Sequence, residues 1–221
     1  MALIPIAMMV AAPLVGFLLM KVGRWLIIFI AMFVMLIGCA TSALAHYVNS
    51  STGFLLVFGG SRILQGLGSM SIQTANFSII VKMFPNDISK AAGFIEMVAG
   101  IGLVLGPVIG SPLYKWGGFP TSFYFCCAYY VITIPLLYLC VPSTVETEKQ
   151  VERWKPSKVT YFSLITNRRI FVSSLACSMT LFQYTFIEPF LGLFVNRTFG
   201  VAEENVGYVF ICLSGGFLIG C

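Results

Sequence analysis

Seven long apolar runs constrain this chain more than any other feature. They occupy about 1–20, 25–46, 54–81, 90–114, 121–141, 170–195 and 205 to the last residue, Cys221. A helix needs about 20 apolar residues to cross the hydrocarbon core of a bilayer, and these runs have that length. Composition supports the same solvent. Of the 221 residues, 58% are hydrophobic and 10% are charged. A soluble domain carries about a quarter of its residues as charges. An all-α membrane protein with about seven transmembrane helices is therefore expected.

The formal net charge of +5 is unevenly spread. Lys21 and Arg24 lie between the first two runs, and Lys82 and Lys90 between the third and fourth. Lys149, Arg153, Lys155, Lys158, Arg168 and Arg169 lie between the fifth and sixth. Of the remaining cations, Lys115 and Arg197 fall in the opposite set of loops and Arg62 lies inside a run. Cytoplasmic loops carry the excess of Lys and Arg, so the basic set is assigned to the cytoplasm. The charge is thus a topology signal and no nucleic-acid partner is expected. Two Asn-X-Ser/Thr triplets, at Asn49 and Asn196, fall on the other side, as glycosylation acceptors would.

Residues 142–169 form a polar connector, which divides the chain into a first bundle at 1–141 and the start of a second at 170–221. The first and last runs reach the ends of the sequence without a polar tail, so a chain cut at both ends is expected. No basic stretch precedes the first run, so no cleaved signal peptide is expected. The seven cysteines lie in or at the ends of apolar runs, with no CxxC pair and a single histidine, His46. They read as small hydrophobes rather than a disulfide framework or metal site. No catalytic nucleophile or phosphate-binding loop stands out, so neither an enzyme nor a cofactor is expected.

Three segments carry information beyond hydropathy. The first, Gly16-Phe17-Leu18-Leu19-Met20-Lys21-Val22-Gly23-Arg24, is a short glycine- and cation-bearing turn between two runs. The second, Arg62-Ile63-Leu64-Gln65-Gly66-Leu67-Gly68, puts a cation inside an apolar helix, where it must meet a partner or a wet cavity. The steps between Arg62, Gln65, Ser69, Gln73 and Asn76 are three and four residues, which makes one polar face. Such a face lines an aqueous path or bonds to a neighbouring helix. The third segment, GFIEMVAGIGLVLGPVIGSP from Gly93 to Pro112, repeats glycine at 102, 106 and 110. That spacing puts small residues on one face, where another helix can approach closely. Pro107 is expected to bend the helix there.

Together the three segments resemble the major facilitator superfamily, and within it the proton-coupled drug and amine antiporters. The family loop G-x3-D-(R/K)-x-G-(R/K)-(R/K) is matched by Gly16, Lys21, Gly23 and Arg24, with Met20 in place of the aspartate and Trp25 in place of the last cation. R-x-x-Q-G-x-G is matched by Arg62, Gln65, Gly66 and Gly68. The antiporter pattern G-x8-G-x3-G-P-x2-G-G is matched by Gly93, Gly102, Gly106, Pro107 and Gly110, with Ser111 at the last glycine. Phe84-Pro85-Asn86-Asp87 and Ile187-Glu188-Pro189 look like the vesicular amine transporters, including the polyamine branch. The resemblance implies an incomplete major facilitator fold holding family helices two to eight. The absent helices would come from further sequence or a separate chain.

The same resemblance implies a multi-pass transporter, in a vesicular, endomembrane or plasma membrane, that exchanges protons for a small organic, cationic solute by alternating access. Its substrate and proton path would involve Arg62, Gln65, Gln73, Asn76, Glu188 and Glu96. Gly16, Lys21, Gly23, Arg24, Gly93, Gly102, Gly106, Pro107 and Gly110 would serve gating. Phe182, Tyr184 and Phe186 are candidate faces for an organic cation. Two other classes fit less well. Seven runs suggest a seven-helix receptor, but the three segments stand in transporter order. Met20, where the family has an acid, suggests a transporter-like scaffold or sensor.

Overall fold

In lipid no water is available to backbone amides, so each crossing segment must close its own hydrogen bonds. The computed structural model describes residues 3–140, 166–200 and 215, and among them every regular element is helical. Helix α1 spans Leu3–Val22, α2 Arg24–Leu44, α3 Ser51–Met83, α4 Ile88–Cys140 and α5 Arg168–Phe199. A short 3-10 turn, Ala45–Tyr47, follows α2. Residues 141–165, which make up most of the polar connector, and nearly all of the seventh apolar run lie outside the described residues.

The boundaries follow local chemistry. Gly23 separates α1 from α2 with φ 94° and ψ 151°, a conformation that favours a residue without Cβ. The turn expected from the glycine- and cation-bearing loop is therefore present. Ser50 caps α3 by accepting from the Gly53 amide, and Asn167 caps α5 by accepting from the Arg169 amide. Gly200 ends α5 in the left-handed region.

α4 contains the fourth and fifth apolar runs. Its 53 residues would reach about 80 Å as a straight helix, far beyond a bilayer. The break falls at Gly118, with φ 71° and ψ −163°, a region essentially reserved for glycine. Helical dihedrals continue through Pro107 and Pro112, and the interruption lies at Gly118, in the gap between the fourth and fifth apolar runs. The first arm, 88–117, starts after a four-residue turn that follows α3. The second arm, 119–140, starts beside Phe58 of α3 and finishes beside Trp25 of α2. The chain therefore reverses at Gly118 and α4 makes two crossings.

Contacts between elements set the directions. Arg24 at the start of α2 donates to Ser78 near the end of α3, whereas Ser42 near the end of α2 meets Ser61. These helices are antiparallel. α1 runs parallel to α3, with Leu3 against Gly59 and Ile4 and Ala7 against Gly66. Lys21, Arg24, Lys82 and Lys90 thus gather at one end of the bundle, and Asn49 at the other, as the charge distribution of the loops predicts.

The core is built from small residues at the crossings. Ala11, Val15, Ile27, Ile28 and Ala75 are buried together, with Leu19, Leu67, Met70, Ile79 and Leu137 packed around them. A Cβ on Gly66 would lie 2.7 Å from the Ile4 carbonyl oxygen and 2.8 Å from the Ala7 Cβ. One on Gly68 would lie 2.7 Å from Met35 Cγ. Lipid drives helix association poorly, so such close approach supplies the van der Waals contact that does. Outward positions are apolar, including Leu139 at 79% exposed, as a lipid-facing surface requires. The helices Arg24–Tyr47 and Ile88–Leu139 are long and apolar enough to cross a membrane, with mean hydropathies of 2.5 and 2.0.

Gly66→Ala is expected to destabilise the bundle by about 1–3 kcal/mol, because the Ile4 backbone cannot step aside cheaply. Gly60→Ala, on the same helix with open space around it, should be neutral or slightly stabilising. Thermal unfolding in detergent, comparing the two variants, reads the difference.

Candidate functional site: a buried polar network under Arg62

α3 begins three residues earlier than its apolar run suggests, which places Arg62 about 16 Å into the helix. The side chain is half-buried and is held by groups of α3 and of the second arm of α4. Nη1 of Arg62 donates to Oε1 of Gln65 at 2.8 Å. The guanidinium lies over the Phe58 ring, 4.4 Å from its centroid, and 5.2 Å from that of Phe123 on the second arm of α4. Phe58, Phe119 and Phe123 contact one another, and Phe54 stacks on Phe58. The cation is therefore held between two helices by aromatic faces and one amide.

Gln65 is buried and fully engaged. Its Nε2 donates to the Gly38 carbonyl at 3.1 Å and to Ser42 Oγ at 3.0 Å, both on α2. These bonds use both amide hydrogens, so Oε1 is left facing Arg62. Ser42 Oγ is 2.7 Å from Ser61 Oγ, and Ser61 donates to the Phe58 carbonyl at 2.7 Å. Ser42 and Ser61 are completely or almost completely buried. The network runs from α2 through Gln65 to Arg62 with its polar atoms paired, as a buried polar cluster must.

The magnitudes are balanced. An arginine near the centre of a transmembrane helix costs about 2.5–3.5 kcal/mol on insertion scales. A hydrogen bond to a charged group returns about 1.5–3 kcal/mol, and a desolvated cation–π contact about 2 kcal/mol. Among the described residues, Arg62 is held by this hydrogen bond and these ring contacts and has no ion pair. The ion pair found among the described residues, Lys90–Asp87 at 2.8 Å, is exposed and lies at the start of α4.

The other predicted residues are distributed more widely. Gln73 is exposed and Asn76 half-buried on α3, so only Arg62 and Gln65 of the polar face join one cluster. Gln65 bonds to a neighbouring helix, the second of the two roles open to that face. Glu96 is exposed on the first arm of α4. Gly16 is half-buried, Lys21 is exposed with its Nζ 4.5 Å from the Phe17 ring centroid, and Arg24 bonds to Ser78 at 2.6 Å. Gly93, Gly102, Gly106 and Gly110 have no described atom within 4 Å of a built Cβ. No described helix makes the close approach expected on that face. Glu188 lies in α5, but its side chain, like those of Tyr184 and Phe186, lies outside the described residues.

Phe58, Phe123, Ser42 and Ser61 were not legible as site residues in the sequence. Phe58 stands four residues before Arg62, one helical turn away, and that spacing was an available signal. Phe123 reaches Arg62 only through the reversal at Gly118, and Ser42 reaches Gln65 only through the α2–α3 crossing.

Double-mutant analysis should resolve the network. Gln65→Ala and Ser42→Ala are expected to couple by about 0.6–1.7 kcal/mol, the range of interhelical hydrogen bonds in a bundle. Unfolding of both singles and the double in detergent measures it; additive effects would mean that the bond adds nothing.

Comparison with known proteins places this geometry in a family. The sequence profile of the Major Facilitator Superfamily matches residues 1–221. The MFS-type transporter SLC18B1 of Mus musculus is 30% identical over 158 residues, which is 72% of this chain and 33% of that protein. Its Rattus norvegicus counterpart is 32% identical over the same shares. The synaptic vesicular amine transporter of Homo sapiens is 24% identical over 215 residues, 96% of this chain and 39% of that protein. The chain thus spans between a third and two fifths of the length of these relatives. With a profile match over its whole length, apolar helices long enough to cross a membrane and a cation held inside α3, the chain belongs to the Major Facilitator Superfamily and is an integral membrane protein.

Proposed function

We propose that the complete protein is a secondary active transporter. It exchanges protons for a small organic cation, amine or drug-like, by alternating access. The observation that carries this reading is Arg62, held deep in α3 by Gln65 and two phenylalanine faces. An ionisable residue inside a transmembrane helix is a candidate for a solute or ion path. The similarity to a synaptic vesicular amine transporter supports an amine as solute and a vesicular membrane as location. Residues 1–141 would form most of one helical half, 142–169 the cytoplasmic connector and 170–221 the start of the second half. The solute site would lie between the halves near the bilayer midplane. Arg62 and Gln65 contribute from one half and Glu188 from the other, with Gln73, Asn76 and Glu96 along the path. The glycine face of α4's first arm would pack against helices beyond the described residues.

The carboxylate has a defined task. An acid in a membrane cavity can hold an ammonium group or a proton, but not both at once, and that exclusion couples the two flows. The chemistry needs no catalytic residue.

The full-length protein in proteoliposomes should accumulate a radiolabelled amine when the lumen is acidic, and a protonophore should abolish the accumulation. Glu188→Gln should lower gradient-driven uptake by about tenfold or more, the effect of losing one contact worth about 1.4 kcal/mol. Arg62→Ala should lower it similarly, whereas Arg62→Lys should recover only part, since an ammonium lacks the planar face that stacks on phenylalanine. Uptake indifferent to the gradient would refute antiport. A Glu188→Gln protein with normal coupled uptake would remove that residue from the path.

A further inference from the structure

The rings around Arg62 fit a wider class of cation than the guanidinium they hold. Phe58 on α3 and Phe123 on the second arm of α4 stand at 85° to each other, with centroids 6.3 Å apart. Phe119 closes the same corner, 5.7 Å from Phe58 and 5.0 Å from Phe123 between centroids. The guanidinium carbon lies 4.4 Å and 5.2 Å from the Phe58 and Phe123 centroids, within the roughly 6 Å over which a ring face attracts a cation. A ring face asks only for positive charge and sets no N–H directions. Gln65 Oε1 adds a single acceptor, 2.8 Å from Nη1. That oxygen is fixed, because Gly38 and Ser42 hold both amide hydrogens of Gln65. The seat is therefore built from both sides, whereas its occupant is not. Arg62 is half-buried and reaches the rings on a flexible stem, so rotation about its own side-chain bonds can withdraw the guanidinium.

We propose that this corner is the ammonium seat of the transported amine, and that Arg62 is its resident competitor, filling the seat when the solute is absent and displacing the solute at release. The proposal rests on the amine reading above and adds to it the groups that hold the nitrogen. A protonated amine in place of the guanidinium keeps the faces of Phe58 and Phe123, and its N–H donates to Gln65 Oε1 as Nη1 does now. Two cations cannot share the corner, because they need the same space and like charges so close repel. The apparent affinity for the solute is then its intrinsic affinity scaled by the fraction of time the seat stands empty. Return of the guanidinium to the rings speeds release, and release is a step that can limit turnover. Arg62 thus weakens binding and quickens exchange. Removing a residue that only held the helices together, or that gripped the solute directly, would lower both.

Tetramethylammonium is the probe, since it carries the charge without an N–H and reports on the ring faces alone. Ligand-observed NMR titration of the purified full-length protein reads its affinity. Arg62→Ala should bind it about tenfold more tightly, the gain expected if Arg62 fills the seat about nine-tenths of the time. The same variant should take up less radiolabelled amine, so affinity and uptake move in opposite directions. Adding Phe123→Leu to Arg62→Ala should remove the gain. A second measurement uses the unsubstituted protein and covers variants that fail to fold. Saturating tetramethylammonium should make Arg62 react faster with phenylglyoxal, read by mass spectrometry of its peptide, because the displaced guanidinium leaves the rings. A folded Arg62→Ala protein that binds the probe no more tightly would overturn the proposal, as would a gain that survives Phe123→Leu. So would an Arg62 whose reaction with phenylglyoxal is slowed or unchanged by the probe. Gradient-driven uptake by the unsubstituted protein is measured separately, so loss of the seat and loss of antiport are told apart.

Discussion

The α2–α3 crossing is the contact on which the rest of this bundle depends. It works because three residues lack side chains or nearly so. Gly38 leaves 3.0 Å between a built Cβ and the Gln65 Cγ, Gly68 admits Met35, and Ala31 places its carbonyl oxygen 3.1 Å from the Gly68 position. At that separation the Gln65 amide reaches the α2 backbone and Ser42 together. A bulkier residue at Gly38 would push the helices apart and leave the amide hydrogens without partners in a medium that supplies none.

The Arg62 cluster is built on this crossing. Gln65 is held by α2 on one side, so its oxygen is free to position Arg62 on the other. Arg62 in turn draws Phe123 across from the second arm of α4. The arm is therefore tied to α3 through a cation and to α2 through Trp25–Tyr138 and Tyr47–Tyr124. A change at Gly38 is expected to be felt at the arginine without touching it. Coupling of this kind runs through contiguous packed groups and is testable by the energetics of pairs.

The two ends of the bundle differ in chemistry. Arg24 on Ser78 and the nearby lysines crowd one end, where headgroups and water can take charge. The opposite end is aromatic, with Phe54, Phe58, Phe119, Phe123, Tyr47 and Tyr124. Aromatic rings at an interface accept both apolar and polar neighbours. Arg62 stacks on that wall through Phe58 and Phe123.

Much of this architecture was already readable from residues alone. Apolar runs of bilayer length determined that the chain is helical and crosses a membrane, since no other backbone satisfies itself in lipid from local bonds. The lysines and arginines gave the expected sidedness, and Arg62 with Gln65 marked a candidate site, because a cation in an apolar run is costly wherever it folds. Gly23 was legible as a turn for the same local reason. What pairs with what was decided by the tertiary structure. Tyr47 and Tyr124, seventy-seven positions apart, meet only once α4 reverses at Gly118. Phe123 becomes a face for Arg62 by the same reversal. The break between the fourth and fifth runs falls at Gly118, whose backbone angles no residue with a Cβ adopts comfortably. Local chemistry is written residue by residue, whereas distant pairs depend on how closely helices approach, and that is set by contacts no short stretch contains.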